Sequence, residues 1–532
     1  MPSPFPVGVI STGKEDRNPA IQLFGRRFFS DQTTIELLVE FLLVAVSQKL
    51  VDQEFNTPLP SYEVIKHWPM RGELKYAPKA RLNLKLFSFL SASKLDTRHQ
   101  THRDHLKELY GLMRDRIEVR EENKDSVLRT LENLFLGFQG AGSQRTWCAQ
   151  SFVPICSGLI SGESIWQQSR ARDVEDWQEA LNYFAHNQWL FLARGGEVLY
   201  LQICNALGQT PEAVVAWAQQ AGLEDSLTRD ELNPVWLHRQ LNAGLTKLLE
   251  ECPSTVSNLA EFVDSGVEKE TSQRTDTDYG ELRYTACGWC PRQSWPEGYL
   301  FAVEMQRICR AEIGLMERLD LLELACAMQV LRSLATQAAR YASPPVDGLS
   351  PAYRLAISDP AGENEAVRQV SKASVQSVEK MIYDALRHQD IESRIPKPER
   401  AKLYREADRR YGHKLFVTVA KRIGLITPRR GGGMRFVLNE RLLRLLVVTL
   451  IPSGRLTYDS FKRLAEAHYG LALDEPSLGR ASKWATGVKI ESFEEPTDEW
   501  FQNMLEAAGV LRRLSDSCSL VENPASHGKE GA

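Results

Sequence analysis

The sequence predicts a mainly α, multi-domain chain: a helical N-terminal body followed by two tandem winged helix-turn-helix domains. Three observations carry this expectation. Apolar residues recur at helical spacing through most of the chain, strand-like alternation is scarce, and the order helix, helix, hairpin occurs twice after residue 397. With 532 residues, 43% hydrophobic and 25% charged, the chain is long enough for several domains and apolar enough to bury a core.

After a Pro/Gly-rich lead (1–20), the body spans 21–263. Thr33-x-x-Glu36 has the spelling of a capping box and opens an apolar helix through Leu37, Leu38, Phe41, Leu42 and Ala45. Leu106, Leu109, Leu112 and Met113 form a second stripe, and Val127, Leu128, Leu131, Leu134 and Phe135 a third. Further helices are expected at Val174 to Asn187, Pro211 to Ala221 and Asn233 to Glu250. A polar linker carrying a CxxC (264–296) then leads to a long helical segment (297–342), read as one helix from Leu300 to Tyr341. A Pro-rich linker (343–364) and a connecting helix (365–396) precede the C-terminal units.

The first unit, 397–451, has helices at Glu399 to Tyr411 and Lys414 to Ile423. Gly424 suits a C-cap, and two short apolar runs flank the turn Arg429-Arg430-Gly431-Gly432-Gly433. The second unit, 452–523, shows helices at Tyr458 to His468 and Glu499 to Ala508, then strand, turn and strand through Val521; a tail (524–532) follows.

Charge distinguishes the two. Between Lys397 and Arg444 fourteen basic residues face four acidic ones, in a chain whose formal net charge is −4. Lys414, Lys421 and Arg422 on the second helix and Arg429, Arg430 and Arg435 on the wing are the candidate contacts to double-stranded DNA, because phosphate neutralisation requires clustered cations. The helix offers little Asn or Gln, so backbone contacts are expected over base readout. Asp498, Glu499 and Glu506 on the corresponding helix of the second unit would be repelled by DNA, and that unit is expected to bind protein.

No catalytic signature is complete. Gly8 to Glu15 has the glycine and lysine spacing of a P-loop, but Glu15 stands where Ser or Thr should meet magnesium. Cys287-Gly288-Trp289-Cys290 has zinc-knuckle spacing; Cys287 and Cys290 are candidate zinc ligands, with structural thiols as the other reading, since a second pair is missing. His99, His102 and His105 spread over too wide an arc of one helix to ligate one ion. Gly140 to Trp147 reads as a glycine loop between helices, and Gly195-Gly196 calls for the same reading. Nine scattered cysteines, no signal-peptide pattern and no uninterrupted apolar span point to a cytoplasmic protein without a membrane segment.

Leu131 to Pro154, Leu192 to Leu201 and Ile451 to Leu473 resemble segments of accessory proteins of multi-gene bacterial anti-phage defence systems of the methylation-associated type. The resemblance implies a non-enzymatic subunit working beside other protein subunits of a defence complex. Combined with the basic unit it gives a DNA-associated adaptor. A pure assembly scaffold and an enzyme of unrecognised type, with its site near Gly140 to Trp147 or Cys287 to Cys290, are the alternatives.

Overall fold

The computed structural model describes residues 3–7, 17–25, 28, 32–50, 54–55, 57–68, 72–78, 81, 84, 100–136, 155, 157–162, 165–166, 184–185, 195–251, 256–263, 284–341, 352–361, 364–452, 454–485, 487, 493, 497–515 and 518–526. Helices dominate them. The P-loop-like Gly8 to Glu15, His99 and the glycine loop Gly140 to Trp147 lie outside the described residues, as do the side chains of His102 and His105.

Short elements open the chain: β1 (Pro4–Phe5), α1 (Pro19–Phe24) and α2 (Thr34–Val46). Thr33 caps α2 through the expected box, its side chain accepting from Glu36 N while Glu36 accepts from Thr33 N. A four-stranded antiparallel sheet follows in the order β3-β2-β4-β7, built from β2 (Gln48–Leu50), β3 (Glu54–Phe55), β4 (Lys75–Ala77) and, much later in the chain, β7 (Thr285–Ala286). Between them come α3 (Tyr62–His67) and the antiparallel stripes read from sequence, α4 (Gln100–Arg116) and α5 (Glu121–Leu136). Where the sequence reading put a helix over 174–187, Phe184–Ala185 instead forms β6, paired with β5 (Ile165–Trp166). A short apolar run fits either period, and cross-strand pairing decided it.

The centre of the body is α6 (Gly195–Leu207), buried at every residue. It crosses α2 on one side and α9 (Trp295–Arg310) on the other. Both crossings need glycine. A Cβ on Gly196 would stand 2.4 Å from Glu40 Cβ and from the Leu37 carbonyl oxygen, and one on Gly298 2.3 Å from the Gln202 carbonyl oxygen. The helices α7 (Pro211–Gln220) and α8 (Pro234–Glu250) match their expected spans, with Thr210 and Asn233 as N-caps. β8 (Cys290–Pro291) pairs with β1 and leads into α9.

The helix expected from Leu300 to Tyr341 is two helices: α9 ends at Arg310 and α10 runs Leu315–Ala339. The break is fixed by Arg318, whose guanidinium donates to the carbonyls of Ala311 (3.2 Å) and Ile313 (3.0 Å) and so satisfies backbone groups the turn would otherwise strand.

The remaining elements are β9 (Leu355–Ala356), α11 (Glu365–Ala385), α12 (Gln389–Glu392), α13 (Arg400–Arg410), α14 (His413–Arg422), the antiparallel pair β10 (Ile426–Thr427) and β11 (Arg435–Phe436), and α15 (Glu440–Leu450). Then come β12 (Arg455–Thr457), α16 (Tyr458–Tyr469), β13 (Leu471–Ala472), α17 (Glu475–Trp484), α18 (Glu499–Ala507), β14 (Leu511–Ser515) and β15 (Cys518–Glu522). The sequence reading lacked α17, β12 and β13; β12 pairs with β15, giving a three-stranded sheet in the order β12-β15-β14. β9 joins the two C-terminal units: it lies parallel to β13, and Ile357 bridges Phe436 at the end of β11. One apolar core runs from Phe5 to Ala525, crossing the expected boundaries at 264–296 and 343–364. No helix among the described residues is long and apolar enough to cross a membrane.

Candidate nucleic-acid interface

The basic segment folds as a helix pair and a hairpin because its apolar residues fall on one side. On α14, Leu415, Phe416, Val419 and Ala420 are buried against α10, α11 and α13, while Lys414 is exposed and Lys421 half-buried. Gly424, at φ +77°, turns the chain out of α14, and Asn439 Nδ2 donates to the Ile423 carbonyl at 2.8 Å, closing the helix end. The hairpin tip is exposed from Arg429 to Gly433.

The six basic residues expected to face DNA divide into two groups. Arg422 donates to the Gln32 carbonyl, fastening α14 to the N-terminal body. Arg435 is held by Ser358 Oγ (3.1 Å) and the Pro360 carbonyl (3.0 Å), so it braces β11 against the strand from β9. Lys414, Lys421, Arg429 and Arg430 have no ion pair within 4.0 Å among the described residues, although Lys421 lies close enough to Glu379 to lower the carboxyl that burial raises.

The acidic residues of the segment, by contrast, are all occupied. Glu399 pairs with Arg17 (3.2 Å), Asp408 with Arg387 (2.6 Å), Glu440 with Arg444 (2.8 Å), and Glu406 sits 4.0 Å from Arg410. Each carboxylate is thus spent on an arginine of this chain. What is left over is positive: besides the tip, Lys397, Lys402, Arg405 and Arg409 are exposed and pair with no carboxylate among the described residues. The sequence reading named none of these four as candidates, though the i, i+3, i+7 spacing of the last three on α13 was present in the sequence.

Carboxylates at the acidic helix of the second unit surround the cations beside it. Asp498, together with Asp459 (3.2 Å) and Asp474 (3.8 Å), surrounds Lys462, whose Nζ lies 2.6 Å from Asp498. Glu506 pairs with Arg513. An open cleft of about 460 Å³ beside them, lined by Tyr458, Lys462, Gln502, Arg513 and Ser519, therefore presents cations already neutralised.

Cys287 and Cys290 are both buried, and neither forms a disulfide. Cys287 N donates to the Leu74 carbonyl at 2.8 Å, and Cys290 faces Phe5 across β1 and β8. Burial pushes the Cys290 thiol well up. Among the described residues no three His, Cys, Asp or Glu side chains converge as a metal site. Nearby Lys49, fully buried, donates to the carbonyls of Ala45, Ser47 and Thr57, each at 2.8 Å, and burial brings its ammonium down to about 7.

One further constellation has the composition of a nucleophilic relay. Ser226 Oγ lies 3.1 Å from His468 Nδ1, and His468 Nε2 lies 2.7 Å from Glu304 Oε1. All three side chains are 0% exposed, and Arg332 grips the same Glu304 carboxylate, so no substrate reaches the hydroxyl and the carboxylate is already neutralised. Its role is cohesion. An ionised carboxylate only accepts, so Nε2 carries the proton and Nδ1 accepts from Ser226. Burial lowers the His468 imidazole, keeping it neutral. Burial pushes the Glu304 carboxyl up, but Arg332 and His468 outweigh it and hold it below its usual value.

Both shifts have the same consequence for stability. A depressed folded-state value means stability present above the unfolded value and lost as pH falls, beginning for His468 near about 6.5. The thermal midpoint is expected to drop as pH goes from 7 to 5, and His468→Gln to flatten the part of that slope that begins near about 6.5. An identical slope in wild type and variant would show that His468 does not carry it.

No protein-family model matches the chain, and comparison with curated proteins and with solved structures gives no match.

Proposed function

We propose that this chain is a non-enzymatic, DNA-associated adaptor: its helical body docks partner subunits, and the unit formed by 397–451 holds duplex DNA through the phosphate backbone. The observation that carries the reading is the leftover charge. Every acidic residue of the segment has an arginine of this chain beside it, whereas Lys397, Lys402, Arg405, Arg409, Lys414, Arg429 and Arg430 are exposed without a carboxylate. Uncompensated cations on a folded surface favour a polyanion, because binding releases its condensed counterions.

Both C-terminal units are read here as winged helices. In the first, a helix pair is followed by the hairpin β10–β11; in the second, β12 joins the hairpin β14–β15 from ahead of the helices, and both features support that reading. The second unit is assigned to protein contact. The acidic α18, with Glu499 exposed, favours a protein surface over DNA there. The resemblance of three segments to defence-system accessory proteins supplies the proposed setting, a bacterial anti-phage complex with a separate catalytic subunit.

The test is binding of the full chain to a labelled mixed-sequence duplex across a salt series. Affinity should fall by orders of magnitude between about 50 and 200 mM salt, as it does for a protein making several phosphate contacts. Arg429→Glu with Arg430→Glu should weaken binding at least about tenfold at low salt, since two contacts become two repulsions. Absence of binding at low salt would overturn the DNA assignment and favour the pure scaffold.

A further inference from the structure

Resting on that reading, we infer that the principal phosphate-tracking element is α13, not the helix α14 that the order of elements would nominate, and that the surface selects duplex over single strands without reading sequence.

The argument begins with what α14 has left to offer. Its apolar side is buried against three helices, Arg422 is spent on the Gln32 carbonyl, and Lys421 lies beside Glu379. Lys414 alone of its basic residues is fully exposed. A helix fastened at its C-terminal end to the body of its own protein is poorly placed to enter a groove.

α13 differs on each count. Lys402, Arg405 and Arg409 are exposed and project within an arc of about 60° at 100° per residue, along roughly 10 Å of helix. Ala407 on the opposite side is buried, so the row points outward. The acidic residues beside the row lie next to arginines, Glu406 4.0 Å from Arg410 and Asp408 2.6 Å from Arg387. Lys397, on the 3-10 turn that leads into the helix, extends the same charge toward its N-terminus.

Strand selectivity follows from the aromatics. Single-stranded binding sites combine cations with exposed rings on which bases stack. Here the rings nearest the row already carry a cation of this chain: the Arg387 guanidinium carbon sits 3.4 Å from the centroid of Tyr383, which is 42% exposed, and 4.8 Å from that of the half-buried Tyr404, while its nitrogens are held by Asp408 at 3.1 and 2.6 Å. Tyr411, Phe416 and Phe436 are buried. A base could stack on Tyr383 only on a ring to which Arg387 is already bound, so charge outweighs stacking on this surface, which suits the regular phosphate rows of a duplex.

The experiment compares full-length wild type, the triple variant Lys402→Ala/Arg405→Ala/Arg409→Ala and the double variant Arg429→Ala/Arg430→Ala. The probes are two duplexes of unrelated sequence and a single-stranded oligonucleotide of equal length, each over a salt series. Unchanged urea midpoints establish that the exposed replacements leave folding intact. For the triple variant the slope of log K against log salt should be shallower by about 0.9 per lost contact, about 2.7 in all, equally on both duplexes. The single strand should bind at least about tenfold more weakly than either duplex. A triple variant with the wild-type slope, while the double variant weakens, would overturn the role of α13 and leave the DNA reading standing. Equal affinity for the single strand, or a preference between the duplexes, would overturn the corresponding part of the inference. Failure of wild type to bind any probe would overturn both.

Discussion

Glu304→Leu is expected to lower unfolding stability by about 3–5 kcal/mol, the cost of stranding a buried charge. The charge stranded is Arg332, 2% exposed, which donates to both Glu304 oxygens. Its remaining contacts are neutral: Gln329 Oε1 at 2.8 Å and the Tyr469 ring at 5.0 Å. His468 loses its acceptor in the same step and with it the hydrogen bond that ties α16 to α9. Against a typical stability of about 5–15 kcal/mol this is a large fraction, read as a lowered urea midpoint. The triple variant Glu304→Leu/Arg332→Met/His468→Phe should recover much of the loss, since an apolar replacement of a whole buried ion cluster often costs little. A midpoint unchanged by Glu304→Leu alone would mean that the cluster is hydrated in solution.

That cluster also marks where reading the sequence stopped. The helices 400–410 and 413–422 and the hairpin tip were legible because the signals are local: apolar spacing, Gly424 at a left-handed turn, and glycines where the chain reverses. Ser226, Glu304, Arg332 and His468 are separated by as many as 242 residues, and each reads singly as an ordinary loop or helix position. The division of the fourteen cations into spent and unspent has the same origin. Nothing near Arg435 in sequence announces its bonds to Ser358 and Pro360, and nothing near Arg422 announces its bond to Gln32. The row on α13 was visible as a period, but which carboxylates Arg387 and Arg410 lie beside was not. Two misses were local. The break after Arg310 carries a single glycine, too weak a signal against apolar stripes on both sides. The helix over 475–484 was announced by Asp474 as N-cap and Pro476 in its first turn, two signals that the sequence reading did not use.

Arg307→Met should cost as much as Glu304→Leu, about 3–5 kcal/mol, but for a reason that a compensating apolar partner cannot repair. Arg307 is 6% exposed and uses three nitrogens at once. Nε and Nη2 hold Glu231 at 2.7 and 2.6 Å, Nη2 also reaches the Ser226 carbonyl at 2.6 Å, and Nη1 donates to the Thr449 carbonyl. Thr449 lies in the last turn of α15, where carbonyls lack intrahelical partners, so an arginine of α9 is what closes that helix. In the double variant Arg307→Met/Glu231→Leu the charge imbalance is gone, yet the carbonyls of Ser226 and Thr449 remain without this donor, each worth about 1–3 kcal/mol when left unsatisfied. The double should therefore stay well below wild type in urea midpoint, whereas the apolar replacement of the Glu304 cluster recovers. The two clusters would then differ in kind: the one around Glu304 cancels charge, and Arg307 supplies the hydrogen bonds that join α15 to the body. Full recovery of the Arg307 double would show instead that water reaches those carbonyls and that the apolar core alone holds α15 in place.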